Sequence, residues 1–162
     1  VRRGEEIVTH AALNDMADAF ADASLLVLLL TVTVADLRTR LVPDKALAVA
    51  TLIVVPLTAM LDPASFPERG LAALGAGGFL LTAALIRPGA MGLGDVKLAA
   101  VLGLYLGPGV IAALLVAFIS GSLLGLALIA RQGWAARSRT IPFAPFLSLG
   151  ALAILVANLA VD

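Results

Sequence analysis

The sequence predicts an all-α polytopic membrane protein, a bundle of six transmembrane helices, and three observations carry that expectation. Of its 162 residues 61% are hydrophobic and 14% charged, with a mean hydropathy of +1.07, whereas an average soluble domain is about 25% charged. The apolar residues are gathered into runs near the roughly 20 residues that cross a hydrocarbon core about 30 Å thick. Cysteine is absent, so neither disulfides nor thiolate metal sites can hold the fold, and helix packing must.

Taken in order, residues 1–16 read as a polar N-terminal segment and 17–162 as the membrane domain. The first span is Ala17 to Ala35, with Asp18 and Asp22 in its outer turns. Residues 1–16 lack the basic start and cleavage site of a secretory signal, so this span is expected to be retained. The second is Ala46 to Leu61, with Pro56 as a kink, and the third Leu71 to Ile86. The fourth, Val96 to Leu106, is short and must draw on residues before Asp95 or lie sheltered by neighbours. Val110 to Ala130 and Phe143 to Val161 complete the set. Gly75, Gly77 and Gly78 in the third span, and Ser120, Gly121, Ser122 and Gly125 in the fifth, are expected to let backbones approach closely.

Charge excludes several functions. The 11 basic and 11 acidic residues cancel, and no basic stripe interleaved with aromatics offers a nucleic-acid surface. The single histidine, His10, lies in the polar N-terminal stretch. A histidine-dependent triad or histidine-rich zinc site inside the membrane therefore has no material, and no metal or cofactor is expected. Cytoplasmic loops collect Lys and Arg. With both termini outside, loops 36–45, 87–97 and 131–142 hold Arg38, Arg40, Lys45, Arg87, Lys97, Arg131, Arg137 and Arg139, against Arg2, Arg3 and Arg69 on the other face.

That topology sorts the carboxylates. Most fall in outer loops or tails as solvated charge, but Asp36, Asp44 and Asp95 lie on the cytoplasmic side. Asp36 closes the first apolar run in V-A-D-L-R-T-R-L-V-P-D-K and Asp95 opens the fourth in G-L-G-D-V-K-L, at the same depth on the same face. Two carboxylates that meet cannot both ionise readily and share a proton. One can then accept a proton from water while the other donates to a scissile carbonyl or leaving amine. Gly92 and Gly94 would let an extended substrate backbone come close to Asp95, and the helix N-terminus there favours an anion. Lys97 reads as an anchor snorkelling to the lipid phosphates, and Pro43, Pro142 and Pro145 as loop punctuation.

G-L-G-D-V-K-L-A-A at 92–100 resembles the G-x-G-D signature of the type IV prepilin peptidases, intramembrane aspartic proteases of bacteria. D-L-R-T-R-L-V-P-D at 36–44 resembles that family's first motif. I-P-F-A-P-F-L-S-L-G at 141–150 resembles its Pro-Phe-Gly-Pro stretch, with Ala144 where Gly is usual. The resemblance implies Asp36 and Asp95 as the catalytic pair, supported by Gly92, Gly94, Lys97, Pro43, Asp44, Pro142 and Pro145. It implies removal of a short basic leader from Flp-like prepilins or pseudopilins at the cytoplasmic face of the bacterial inner membrane. With no cysteine and a short link between the first two spans, the chain resembles compact members that cleave without N-methylating. Alternatives are a presenilin-like protease, which shares G-x-G-D, and a small transporter or structural membrane subunit. The Ser120-Gly121-Ser122 stretch reads as packing, since no histidine can activate a serine there.

Overall fold

The computed structural model describes residues 2–87, 91–132 and 142–160, with the side chains of 2–11, 14 and 15 excepted. Six α-helices follow one another: α1 (Arg2–Thr39), α2 (Asp44–Leu61), α3 (Phe66–Ile86), α4 (Leu93–Leu106), α5 (Val110–Gln132) and α6 (Ala144–Leu159), with a 3₁₀ turn at Gly107–Gly109. Among the described residues no strand occurs. The first helix extends back through the segment read as polar, and α4 does recruit Leu93 and Gly94 ahead of Asp95. Pro56 sits inside α2 without ending it.

Four segments, not the six expected, are long and apolar enough to cross a membrane: Met16–Thr39, Asp44–Leu61, Phe66–Ile86 and Leu93–Gln132. The difference has two causes. Only one 3₁₀ turn separates α4 from α5, so they merge into a single apolar segment of 40 residues. The apolar helix α6 is 16 residues long, short of a full span.

The joints follow from local chemistry. The C-terminus of α1 closes with the N–H of Arg40 donating to the Asp36 carbonyl at 2.8 Å, and Arg40 adopts the left-handed conformation (φ 54°) usually left to glycine. Pro43, at φ −73° and ψ 111°, caps α2 and bars the helix from running backward. At the other end of the bundle Gly107, also at φ 54°, terminates α4. There Arg69 from α3 donates to the Tyr105 carbonyl at 2.7 Å and the Leu104 carbonyl at 3.4 Å, covering carbonyls that α4 leaves open.

Leucine gains little by leaving lipid for leucine, so close packing and buried hydrogen bonds must hold such a bundle. Two glycines supply the closest crossings. A β-carbon at Gly103 would lie 2.5 Å from the Ala73 backbone between α4 and α3, and one at Gly150 would run into the Ala113 carbonyl oxygen between α6 and α5. Gly77 meets Ala100 across the same α3–α4 seam, as expected. Gly75, Gly78 and Gly125 face open space, and Gly121 lies 3.6 Å from the Phe143 ring. The close approach expected of the small residues in these spans is thus met at Gly77 but not at Gly75, Gly78 or Gly125, because spacing along one helix does not say which side its partner takes. The Ser120 hydroxyl donates to the Val116 carbonyl at 2.7 Å, consistent with packing. Tyr105 of α4 reaches the Ala50 carbonyl of α2 at 3.1 Å and the Ser24 hydroxyl of α1 at 2.9 Å, tying three helices together.

Candidate active site

Asp36 and Asp95 are buried because each continues an inward-facing helical stripe. On α1 the buried positions are Leu25, Leu28, Leu29, Val32 and Asp36; on α4 they include Asp95, Leu98, Ala99 and Leu102. Both sets have the i, i+3, i+4, i+7 spacing of a single helix face. The aspartates are 5% and 8% exposed. They come from opposite helix termini, the last turn of α1 and the first of α4, and lie near enough for their charges to repel.

Backbone donors hold both carboxylates. Asp95 occupies the third position of α4, and its side chain reaches back to the backbone N–H of Gly92, the N-cap, which is half of a capping box. Asp36 Oδ2 accepts the N–H of Ala144, the first residue of α6, at 3.2 Å. The sequence P-F-A-P explains why that donor is available. Pro145 has no N–H, and the N–H groups of Phe146 and Leu147 turn back to the Phe143 carbonyl at 3.0 and 3.2 Å. Ala144 keeps a donor with no intrahelical partner, and the α1 carboxylate caps it across the helix interface. Ala144 is itself fully buried, so the methyl group that replaces the usual glycine hydrogen is accommodated.

Each residue singled out in the sequence has a definite place. Gly94 does not open room for a substrate: a β-carbon there would lie 2.7 Å from Cβ of Val42, so this glycine lets the start of α4 seat against the α1–α2 link. Gly92 is exposed and has only the Asp95 carboxylate near it, at 3.5 Å from where a β-carbon would sit. Lys97 is not free to anchor lipid phosphate, since its ammonium contacts both oxygens of Asp44 at 2.8 and 2.9 Å, linking α4 to the start of α2. These two side chains are 54% and 69% exposed, so the pair clamps the site's margin rather than entering it. Pro43 caps α2, Pro142 is half-buried just before the N-cap of α6, and Pro145 lies in its first turn. The guanidinium of Arg40 attracts Asp36. Pro88, Gly89 and Ala90 of the loop before Asp95, together with Arg137 and Arg139, lie outside the described residues.

Sequence reasoning missed two participants. Val42 becomes visible only through the tertiary contact with Gly94. The Ala144 N–H was signalled by proline on either side of a two-residue gap, a pattern that strips a helix start of all but a few donors. Among the described residues no cluster of three or more His, Cys, Asp or Glu suited to a metal ion occurs.

Residues 23–130 match the type IV leader peptidase family. That range contains Asp36, Asp44, Gly92, Gly94, Asp95 and Lys97 and stops before the Pro142–Pro145 segment. The chain is 33% identical over 127 residues to the prepilin leader peptidase/N-methyltransferase of Bacillus subtilis (strain 168), an alignment covering 77% of this chain and 50% of that protein. It therefore spans about half the length of this relative. No solved structure matches it. With both buried aspartates, the C-terminal half of α1 and all of α4 inside the matched range, the chain belongs to the type IV leader peptidase family.

Proposed function

We propose that the chain is an intramembrane aspartic endopeptidase that removes the leader from type IV prepilins or pseudopilins of the Flp kind. Asp36 and Asp95 are its acid–base pair. The observation that carries this reading is two buried carboxylates at one end of the bundle, close enough to repel and each fixed by a backbone donor at a helix N-terminus. A pair sharing one proton can hold a water against the scissile peptide. The ionised member takes a proton as the water oxygen bonds to the carbonyl carbon, and the protonated member gives its proton to the carbonyl oxygen. When the C–N bond breaks, the leaving amine takes a proton from the protonated member while a hydroxyl of the diol gives one to the ionised member, so the pair again holds one proton. The two groups titrate together, so the pH–rate profile is bell-shaped and its limbs belong to the pair.

The reading places the site at the cytoplasmic face of the bacterial inner membrane with both termini outside, an orientation supported by the distribution of Arg and Lys. The substrate is a prepilin whose basic leader lies on that side, in a lipid bilayer. The proposal covers cleavage and not methyl transfer, supported by the absence of cysteine and the short link between α1 and α2. The test is co-expression with a candidate prepilin, following the precursor's mobility for the unaltered chain, Asp36→Asn and Asp95→Asn. Loss of processing in both variants is expected, and normal processing by either one sinks the dyad. Methylation of the new N-terminus by the purified chain would overturn the restriction to cleavage.

A further inference from the structure

A groove of about 300 Å³ runs between α1 and α6, and its walls include Leu26, Leu30, Thr33, Pro145, Ser148 and Leu149. Resting on the leader-peptidase reading, we propose that this groove receives the apolar segment of the precursor that adjoins the scissile bond. Ser148 supplies a hydrogen bond to that segment's backbone where it unwinds toward the aspartates.

Three features argue for this occupant. The groove adjoins the candidate active site along both helices: Thr33 lies one turn before Asp36, and Pro145 directly follows Ala144, whose N–H holds Asp36. Its far end is leucine on both walls, with Leu30 70% and Leu149 50% exposed, matching an apolar guest. Its polar groups stand at the end nearest the aspartates. A peptide must be extended to be cut, and backbone groups unwound in a membrane need partners from the protein. Ser148 meets that need. It is buried on the same face of α6 as Ala144, and its hydroxyl is without a hydrogen-bond partner among the described residues. The larger recess of about 590 Å³ between α3 and α5 has no wall residue from α1 or α6 and no unpartnered buried hydroxyl, and among the described residues its one charged wall residue is Glu68.

The test is site-specific photo-crosslinking in membranes, with a benzophenone amino acid replacing Leu30 or Leu149 in the Asp95→Asn chain, co-expressed with a prepilin. Adducts to the precursor's apolar segment from both positions are expected, and none from Leu115 in the α3–α5 recess. Adducts only to lipid or to a second copy of the chain, or equal yields from Leu115, would overturn the assignment. Ser148→Ala, in the otherwise unaltered chain, is expected to raise KM for the precursor about 3- to 10-fold, the value of one hydrogen bond, without lowering Tm. An unchanged KM removes Ser148 from the proposal. The crosslinks do not depend on cleavage. If Asp36→Asn and Asp95→Asn still process the precursor, the catalytic reading falls while the groove is judged separately by its adducts.

Discussion

The two ends of α4 each carry a charge suited to the helix dipole, yet only one of them faces a second charge of the same sign. At the C-terminal end the guanidinium of Arg69 donates to the Tyr105 and Leu104 carbonyls, and its Nε donates to the Ser65 hydroxyl at 3.2 Å. That charge is fully used in closing a helix. At the N-terminal end Asp95 accepts from Gly92 and is then confronted by a second carboxylate, which itself caps α6. A single acid would have satisfied the dipole at this position. The second acid caps a different helix, yet it does so from beside the first, and the repulsion that this adds in a buried place is not needed to cap either one. A charge that only completes a backbone is structural, whereas a like-charged pair held in place by backbone donors is what the proposed acid–base reading requires.

The contrast is sharpest in the aspartates themselves. Asp36→Asn and Asp95→Asn are expected to lower cleavage by about 10²- to 10⁴-fold while leaving Tm unchanged or raised, since each relieves the repulsion. A fall in Tm parallel to the fall in activity would make these acids structural and end the comparison. Gly94→Ala comes next: its methyl must displace Val42 or the start of α4, at about 1–3 kcal/mol, and the displacement carries Asp95 with it. Val42→Gly in the same chain should recover both stability and activity, a coupling that a double-mutant cycle in thermal unfolding would measure.

Arg69→Met should cost about 1.5–3 kcal/mol of stability through the lost charged hydrogen bonds, with kcat of the folded fraction unchanged. A change in kcat would mean that the two ends of α4 are coupled. The smallest effect belongs to Lys97→Ala. Its exposed pair with Asp44 contributes about 0.2–1 kcal/mol, and the loss should shrink at high salt.

Much of this architecture was legible from spacing alone. The stripe from Leu25 through Val32 to Asp36 and the stripe from Asp95 to Leu102 can be read on paper, and alternation of the spans brings their polar ends to one side. What could not be read depends on contacts between distant segments. Gly94 and Val42 meet only once α1, α2 and α4 have docked, so the glycine's purpose was misassigned to the substrate. Lys97 and Asp44 are individually ordinary interfacial charges, and nothing local says that they find each other. The decisive crossings at Gly103 and Gly150 looked no different from the unpartnered Gly75 and Gly125, because a helix's own periodicity does not identify the neighbour on each face. The span count failed for a local reason: one apolar 3₁₀ turn joins α4 to α5 with no polar break between them.

The bond from Ala144 to Asp36 also bears on when the candidate site is complete. Synthesis proceeds from the N-terminus, so α1 and α4 deliver their aspartates to the membrane before α6 has left the ribosome. Until α6 docks, Asp36 lacks the donor that orients it, and one wall of the groove beside it is missing. A nascent chain thus holds both acids without a completed site. Under the proposed reading, assembly itself would hold back cleavage until α6 has docked.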